Sequence, residues 1–126
     1  MGLELVRCER KYWDFIIELR NASREGFIAQ ETIDVKSHYK YMQTHCESYY
    51  IALEDGQPVG WVGEMNGDIR VATHADHQRN GIAKFMVNEL MKLHPDAFAK
   101  VKLDNEASVR LFESCGFKKK YYLLER

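Results

Sequence analysis

The sequence contains few cysteines, which can cross-link a chain, and few prolines, which interrupt helices and strands. It has three cysteines and two prolines among 126 residues. Cys8, Cys46 and Cys115 are odd in number and far apart, and no pair has the spacing of a zinc or redox motif. Neither a disulfide framework nor a cysteine-rich zinc site is therefore expected, and a reducing compartment fits this cysteine usage.

Strong charge of one sign and long apolar runs are also missing. The formal net charge is −1, so no overall basic field attracts nucleic acid or an acidic membrane. No apolar stretch reaches the length of a membrane span, and Glu4, Arg7 and Glu9 interrupt the region where a signal peptide would need one. These absences predict a cytoplasmic protein without nucleic-acid or membrane partners.

The remaining composition is that of one globular domain covering residues 1–126. Hydrophobic residues make up 45% of the chain, which is enough for a single core at this length. In the first third, residues 3–7 predict a strand, and Arg10 to about Asn21 predicts a helix. Residues 22–33 predict a loop, and a second helix is expected from an Asp34 cap to about Cys46. Apolar residues at helical spacing define the buried faces of these two helices: Trp13, Ile16 and Ile17 in the first, and Val35, Tyr39 and Met42 in the second.

The middle of the chain predicts an antiparallel meander of three strands. They are Tyr49–Leu53, Val59–Met65 and Asp68–Thr73. Asp55-Gly56 and Asn66-Gly67 separate them, and these dipeptides favour two-residue hairpin turns.

The last third alternates between helix and strand. A helix is predicted from about Asn80 to Leu93, followed by a strand from Phe98 to Leu103 that should run parallel to the last strand of the meander. The apolar stripe of this helix is predicted to be Ile82, Phe85, Met86, Leu90 and Leu93. Asn105 should cap a further helix that ends at Gly116, and Tyr121–Leu124 should form a final strand. The fold class is therefore α/β (α+β), with a mixed central sheet and helices on both faces.

The segment from Gln78 to Ala83 joins a strand to a helix and has the features of an anion site. Amide groups in the first turn of a helix lack internal partners, and the helix dipole adds positive charge there, which suits a pyrophosphate. Gly81 permits close approach to the backbone. Arg79 can add a charge-assisted contact, and Lys84 is a weaker candidate. The segment lacks both the Gly-Lys-Ser/Thr of a phosphate-binding P-loop and the Gly-x-Gly of a dinucleotide fingerprint.

Two stretches resemble the motifs of one enzyme superfamily. Residues 71–83, VATHADHQRNGIA, look like the acyl-CoA motif of the GNAT N-acetyltransferases, and residues 104–117, DNEASVRLFESCGF, look like the motif that follows it. The resemblance covers residues 49–124. Residues 19–21 and 55–60 are more distantly similar to the branch that acetylates amino-sugar nucleotides.

This resemblance implies binding of acetyl-CoA as the acetyl donor, without a metal, and transfer of the acetyl group to an amine. The pantetheine arm would lie between two splayed parallel strands, and Asn105 would face it. The implied cofactor-binding residues are Val71, Ala72, Thr73, Gln78, Arg79, Asn80, Gly81, Ile82, Ala83, Lys84, Asn105 and Phe112. Three short-loop residues, His74, Asp76 and His77, rarely complete a metal coordination shell.

The catalytic groups are harder to predict. Glu64 on the neighbouring strand and His74 at the strand end are both candidate general bases. Asn105 is the third candidate catalytic residue. The alternative for Glu64 is a solvent-facing strand residue without a catalytic role. In the family a tyrosine four residues before the glycine of the Gly-Phe pair often protonates the leaving thiolate. Phe112 occupies that position here, and Tyr121 or Tyr122 are the alternatives.

The acceptor stays open on sequence grounds: amino-sugar nucleotide, polyamine, amino acid and protein amine are all compatible. Residues 22–45 are expected to shape its pocket, through Arg24, Glu25, Phe27, His38 and Tyr39. The family also includes homodimers. Because Phe112 lacks a hydroxyl, a non-catalytic CoA-binding or regulatory module is the alternative function.

Overall fold

The computed structural model describes residues 2–22, 31–74 and 81–126. Four strands in these ranges form one antiparallel sheet in the order β1-β2-β3-β4. They are β1 (Leu3–Arg7), β2 (Tyr49–Glu54), β3 (Gln57–Met65) and β4 (Asp68–Thr73). The predicted meander is therefore confirmed, and the N-terminal strand pairs with its outer strand.

The two hairpin turns adopt the backbone conformation that their sequences require. Asp55 and Gly56 have φ values of 51° and 84°, and Asn66 and Gly67 have values of 54° and 89°. Two consecutive residues with positive φ match the right-handed twist of the strands they join, and Asn-Gly and Asp-Gly tolerate this conformation best. These turns set the register of β3 against both neighbours.

Four α-helices cover the two faces of the sheet. They are α1 (Trp13–Ala22), α2 (Val35–His45), α3 (Ile82–Leu93) and α4 (Glu106–Ser114), with short 3₁₀ turns at Arg10–Tyr12 and Cys46–Ser48. Asp34 caps α2, because its Oδ1 accepts the Ser37 N–H at 2.8 Å. Gly116 ends α4 with a φ of 91°, as predicted. None of the described helices has both the length and the apolar character needed to span a membrane.

The core consists of two clusters separated by the sheet. One lies under α1 and α2 and includes Trp13, Met42 and Trp61; the other lies under α3 and α4 and includes Val62 and Met86. Alternate residues of the strands therefore feed opposite cores, which explains why β2 is buried along nearly its whole length.

Two predicted helix faces are wrong by one position. Val35 is 59% exposed and Leu93 is 55% exposed, while His38 and Val87 are buried. Each error lies at a helix end, where the helix runs past the edge of the surface that it covers.

Both predicted strands after α3 need correction. The segment from Phe98 makes a single parallel bridge to β4, between Asp68 and Phe98, and then separates from it instead of continuing as a strand to Leu103. Tyr121–Leu124 forms no strand, and all four side chains are at least 68% exposed. Strand-like composition was therefore not sufficient in either place: the segment after Phe98 diverges from β4, and Tyr121–Leu124 pairs with no strand among the described residues.

Candidate active site

The helix after β4 begins at an open, glycine-capped end. Gly81 is the N-cap of α3 with a φ of 77°, which is left-handed and favours glycine. A Cβ at this position would meet no atom within 4 Å. Among the described residues no side chain caps this helix, so the first-turn amides at Ile82, Ala83 and Lys84 are presented to a ligand. Ile82 is buried in the core and Lys84 is exposed.

Gln78, Arg79 and Asn80 lie outside the described residues, as do Asp76 and His77. The predicted phosphate contacts of Gln78 and Arg79 are therefore untested. What the structure does support is the glycine-capped start of α3 at the end of β4, which the predicted anion site requires.

A cavity of about 640 Å³ lies beside β4. We call it the inter-strand cavity, and four groups of residues line it. Helices α1 and α2 contribute Ile16, Arg20, Ser37, His38, Tyr41 and Met42, and Ile33 lies between these two helices. Strands β2 and β3 contribute Tyr49 and Trp61, and β4 contributes Asp68, Ile69, Arg70 and Val71. The segment after α3 and helix α4 contribute Lys100, Val101, Ser108 and Phe112. A second cavity, of about 340 Å³, lies between β1, β2 and α3 and contains none of the predicted site residues.

The inter-strand cavity exists because β4 loses its parallel neighbour. Ile69 N–H donates to the Phe98 carbonyl at 2.8 Å, and Phe98 N–H donates to the Gly67 carbonyl at 2.7 Å. Beyond this point the two segments diverge, and Val71 and Val101 line the gap between them. Because backbone groups alternate sides along a strand, the N–H and C=O of Val71 and Thr73 point the same way as those of Ile69, towards this gap.

A chain of polar groups crosses the α2 side of the cavity. The Arg70 guanidinium donates to the Tyr41 hydroxyl at 3.4 Å, and the Tyr41 and Tyr49 hydroxyls lie 2.7 Å apart. Burial raises the pKa of the Tyr49 phenol above its ordinary value, with a further contribution from Tyr41. Tyr49 is therefore a neutral hydroxyl at physiological pH.

The comparisons with known proteins agree with this geometry. The model of the acetyltransferase (GNAT) family matches residues 13–117. The chain belongs to the GNAT acetyltransferase family. It is accordingly an acetyl-CoA-dependent N-acetyltransferase. A search of curated proteins gives no match.

Solved structures of several acetyltransferases share the fold at low sequence identity. Ribosomal-protein-alanine N-acetyltransferase from Brucella melitensis is 16% identical, with a TM-score of 0.79 over 91% of this chain and 84% of that one. The protein yncA from Salmonella typhimurium, solved with its cofactor acetyl-CoA, is 17% identical, with a TM-score of 0.77 over 93% and 80%. Spermidine N-acetyltransferase from Vibrio cholerae, in complex with CoA and spermine, is 20% identical, with a TM-score of 0.76 over 98% and 85%.

In this GNAT domain the structure places some predicted site residues together. Val71 and Phe112 line the cavity from opposite sides. Ala72 and Thr73 are buried and pair with Trp61 and Gly60 of β3. The backbone groups of Thr73 point to the side of the gap, as those of Val71 do, whereas the backbone groups of Ala72 point to β3. Asn105 caps α4, because its Oδ1 accepts the Ser108 N–H at 3.2 Å. Ser108 itself lines the cavity.

The two predicted bases are not brought to this cavity. One carboxylate oxygen of Glu64 accepts the Gly67 N–H of the β3–β4 turn, and the other lies 3.6 Å from His94 Nδ1. His74 follows β4, and its N–H donates to the Val59 carbonyl at 2.8 Å. Neither side chain lines the cavity. Tyr121 and Tyr122 are 92% and 87% exposed, and neither lines the cavity that Phe112 lines.

His38 lines the cavity, as the expected acceptor pocket required, but Tyr39 does not. The Tyr39 hydroxyl instead donates to Asp14 at 2.7 Å. Arg24, Glu25 and Phe27 lie outside the described residues. Sequence reasoning missed Arg20, Arg70, Tyr41, Tyr49 and Ser108 as site residues. For α2 the sequence did contain the necessary information: the spacing of positions 37, 38, 41 and 42 places these residues on one helical face.

His38 is held in a defined tautomer. Its Nε2 lies 2.8 Å from the Trp13 carbonyl oxygen. A carbonyl can only accept, so Nε2 carries the proton and the neutral ring has its lone pair on Nδ1. Burial lowers the pKa of His38, although the hydrogen bond to Trp13 and the charge of Asp14 partly oppose this. The ring is therefore a neutral imidazole at physiological pH.

Proposed function

We propose that the inter-strand cavity holds the thioester of acetyl-CoA beside β4 and the acceptor amine on the side of α1 and α2. The observation that carries this proposal is the continuity of one cavity from Val71 and Phe112 to His38 and Tyr41. Donor and acceptor could meet there without a covalent enzyme intermediate, because one space reaches both sets of residues.

The donor would be held mainly by backbone groups. The first-turn amides of α3 and the Arg79 side chain would bind the pyrophosphate, with Gln78 and Lys84 beside them. The pantetheine arm would extend along β4 and bind the backbone of Val71 and Thr73. The left-handed Gly81 and the absence of a capping side chain among the described residues support this arrangement.

In the transfer, the amine nitrogen attacks the thioester carbon, its N–H proton passes to a base, and the C–S bond breaks to release CoA thiolate. Alkyl amines have pKa values near 10 and are mostly protonated at neutral pH, so a base is required. His38 fits this role because its neutral ring lines the cavity and its Nδ1 is the acceptor. Glu64 and His74 remain the alternatives from the sequence.

Phe112 occupies the position at which the family often has a tyrosine, so no hydroxyl from this position can protonate the leaving CoA thiolate. A thiol of pKa about 8.5 is a tolerable leaving group without full protonation. Phe112 is also the reason for the alternative function considered from the sequence, a CoA-binding module without transfer; membership of the GNAT acetyltransferase family favours the enzyme. We also propose a cytoplasmic location and a homodimeric state. Size-exclusion chromatography with light scattering tests the dimer.

Two measurements test the proposal in sequence. Calorimetric titration with acetyl-CoA comes first, and absence of binding would rule out both the enzyme and the module. Release of free thiol in the presence of a panel of amines then separates them, because only the enzyme gives acceptor-dependent release.

His38→Gln provides the catalytic comparison, since glutamine can keep the hydrogen bond to the Trp13 carbonyl but cannot take a proton. We expect a fall in kcat of at least about 100-fold with unchanged acetyl-CoA affinity. Full activity of His38→Gln would show that His38 is not the base and would favour Glu64 or His74 instead.

A further inference from the structure

The charged residues around the inter-strand cavity are unequal in sign. Among the described lining residues, Arg20, Arg70 and Lys100 are cations, and Asp68 is the one carboxylate. Arg20 is only 8% exposed, Arg70 is half-buried, and Lys100 is exposed at the cavity wall opposite α2. Arg20 already interacts within the protein, but Arg70 and Lys100 still outnumber Asp68. Because a partly desolvated wall strengthens electrostatic interactions, this positive charge favours an anionic ligand group.

Arg70 is the cation whose position is best defined. Its guanidinium donates to the Tyr41 hydroxyl, which is paired with Tyr49. Both partners are phenols and carry no compensating charge, since burial keeps Tyr49 protonated. Within the described part of the chain, no carboxylate forms an ion pair with Arg70, and the charge of Asp68 acts on it only from a longer distance. Its remaining N–H groups and its charge are therefore available to a ligand.

The position of Arg70 separates it from the predicted pyrophosphate site. Arg70 lies three residues before Thr73 and contacts α2 on one face of the sheet. Gly81 and α3 cover the other face, where the first-turn amides serve the donor. The charge of Arg70 is thus placed on the acceptor side of the cavity.

We propose that the acceptor amine also carries an anionic group, a carboxylate or a phosphate, which binds to Arg70 in the inter-strand cavity. This inference rests on the proposed transfer to an amine in that cavity. The two tyrosine hydroxyls fix the guanidinium, and the fixed guanidinium sets the distance between the anionic group and the attacking nitrogen. A polyamine, which has cations only, is repelled by the same lining.

Matched pairs of acceptors test this with the full-length protein. Lysine is compared with cadaverine, which lacks only the carboxylate, and glucosamine 6-phosphate with glucosamine; spermidine is the polycation. Free thiol is measured at saturating acetyl-CoA. We expect the anionic member of at least one pair to have a kcat/KM at least about tenfold higher. The pair that shows this preference identifies the group as carboxylate or phosphate. Equal rates within both pairs, or a preference for spermidine, would overturn the proposal.

Arg70→Gln should remove the preference, and Arg70→Lys should keep part of it. The matched control is Arg110→Gln, because Arg110 is a 72% exposed residue of α4 paired with Glu106. Acetyl-CoA affinity should be the same in all variants, and each variant should still unfold in one cooperative transition, which shows that the fold and the donor site persist. A preference that survives Arg70→Gln would contradict the assignment.

Calorimetry measures binding of the acceptors without requiring acetyl transfer. CoA-loaded protein is titrated with each member of the two pairs, and the anionic member should bind more tightly in the wild type but not in Arg70→Gln. If no amine releases thiol but this difference is present, the proposed transfer fails and the anion site stands. If neither pair shows a difference in binding, the anion site itself is wrong.

Discussion

Glu64 Oε2 lies 3.6 Å from His94 Nδ1, and the other carboxylate oxygen accepts the Gly67 N–H. Glu64 therefore joins the β3–β4 turn to the end of α3. We expect Glu64→Gln to change kcat by less than about threefold, because the carboxylate lies outside the cavity and is already hydrogen-bonded. Glu64→Ala should lower the free energy of unfolding by about 1 kcal/mol, through loss of the bond to the turn amide.

Steady-state kinetics and urea unfolding of the two variants check this prediction. The matched catalytic comparison is His38→Gln, measured under the same conditions. A loss of 100-fold or more in Glu64→Gln, with the free energy of unfolding unchanged, would make Glu64 the base after all.

The donor loop gives a second prediction, which rests on sequence alone at Arg79. Arg79→Glu should raise the Kd for acetyl-CoA at least about tenfold, because it replaces a charge-assisted phosphate contact with repulsion. Lys118→Glu is the control: it makes the same change of charge at an exposed residue after α4. Equal weakening in both variants would indicate a long-range charge effect rather than a contact of Arg79.

The sequence predicted local features better than the site. Asn66-Gly67 predicted its hairpin because these two residues accept positive φ, and Asp34 and Asn105 predicted helix caps through their own side chains. Such signals are contained within a few residues. The start of α3 was predicted to within two residues, at about Asn80, but Gly81 as its N-cap comes from the structure.

The acceptor side could not be predicted in the same way. The cavity depends on where the chain after Phe98 separates from β4, and strand-like composition between Phe98 and Leu103 indicated the opposite. Arg70 acquires its position from Tyr41 and Tyr49, which are far from it in sequence. These are tertiary relationships, and the pattern of β4 alone gives only the alternation of its side chains.

Phe112 gives the third prediction. Its ring is 7% exposed, lines the cavity and lies 5.2 Å from the ring of Phe117. Phe112→Tyr places a hydroxyl at the cavity, where it can donate to the leaving thiolate. We expect kcat to rise, by up to roughly 100-fold, which is the lower end of the contribution of a positioned acid. Phe117→Tyr adds the same hydroxyl to the neighbouring ring, which does not line the cavity, and should leave kcat unchanged. Equal rates for both variants and the wild type would show that thiolate protonation does not limit turnover.

The buried His38 predicts how stability depends on pH. Burial lowers its pKa in the folded state below the ordinary value of about 6.5, so the unfolded chain binds a proton more readily than the folded chain. Above pH 6.5 His38 is neutral in both the folded and the unfolded state, so it does not lower the free energy of unfolding. As pH falls through 6.5 the unfolded state is protonated first, and the free energy of unfolding must decrease.

His38→Gln isolates this contribution, because glutamine keeps a donor for the Trp13 carbonyl without titrating. Urea unfolding of wild type and variant between pH 7.5 and 5 should show a steeper loss of stability in the wild type. The other histidines are present in both proteins, so their contributions cancel in the difference. Parallel stability curves would mean that His38 takes up a proton equally easily in both states, and a neutral base in the acceptor cavity would then lose its support.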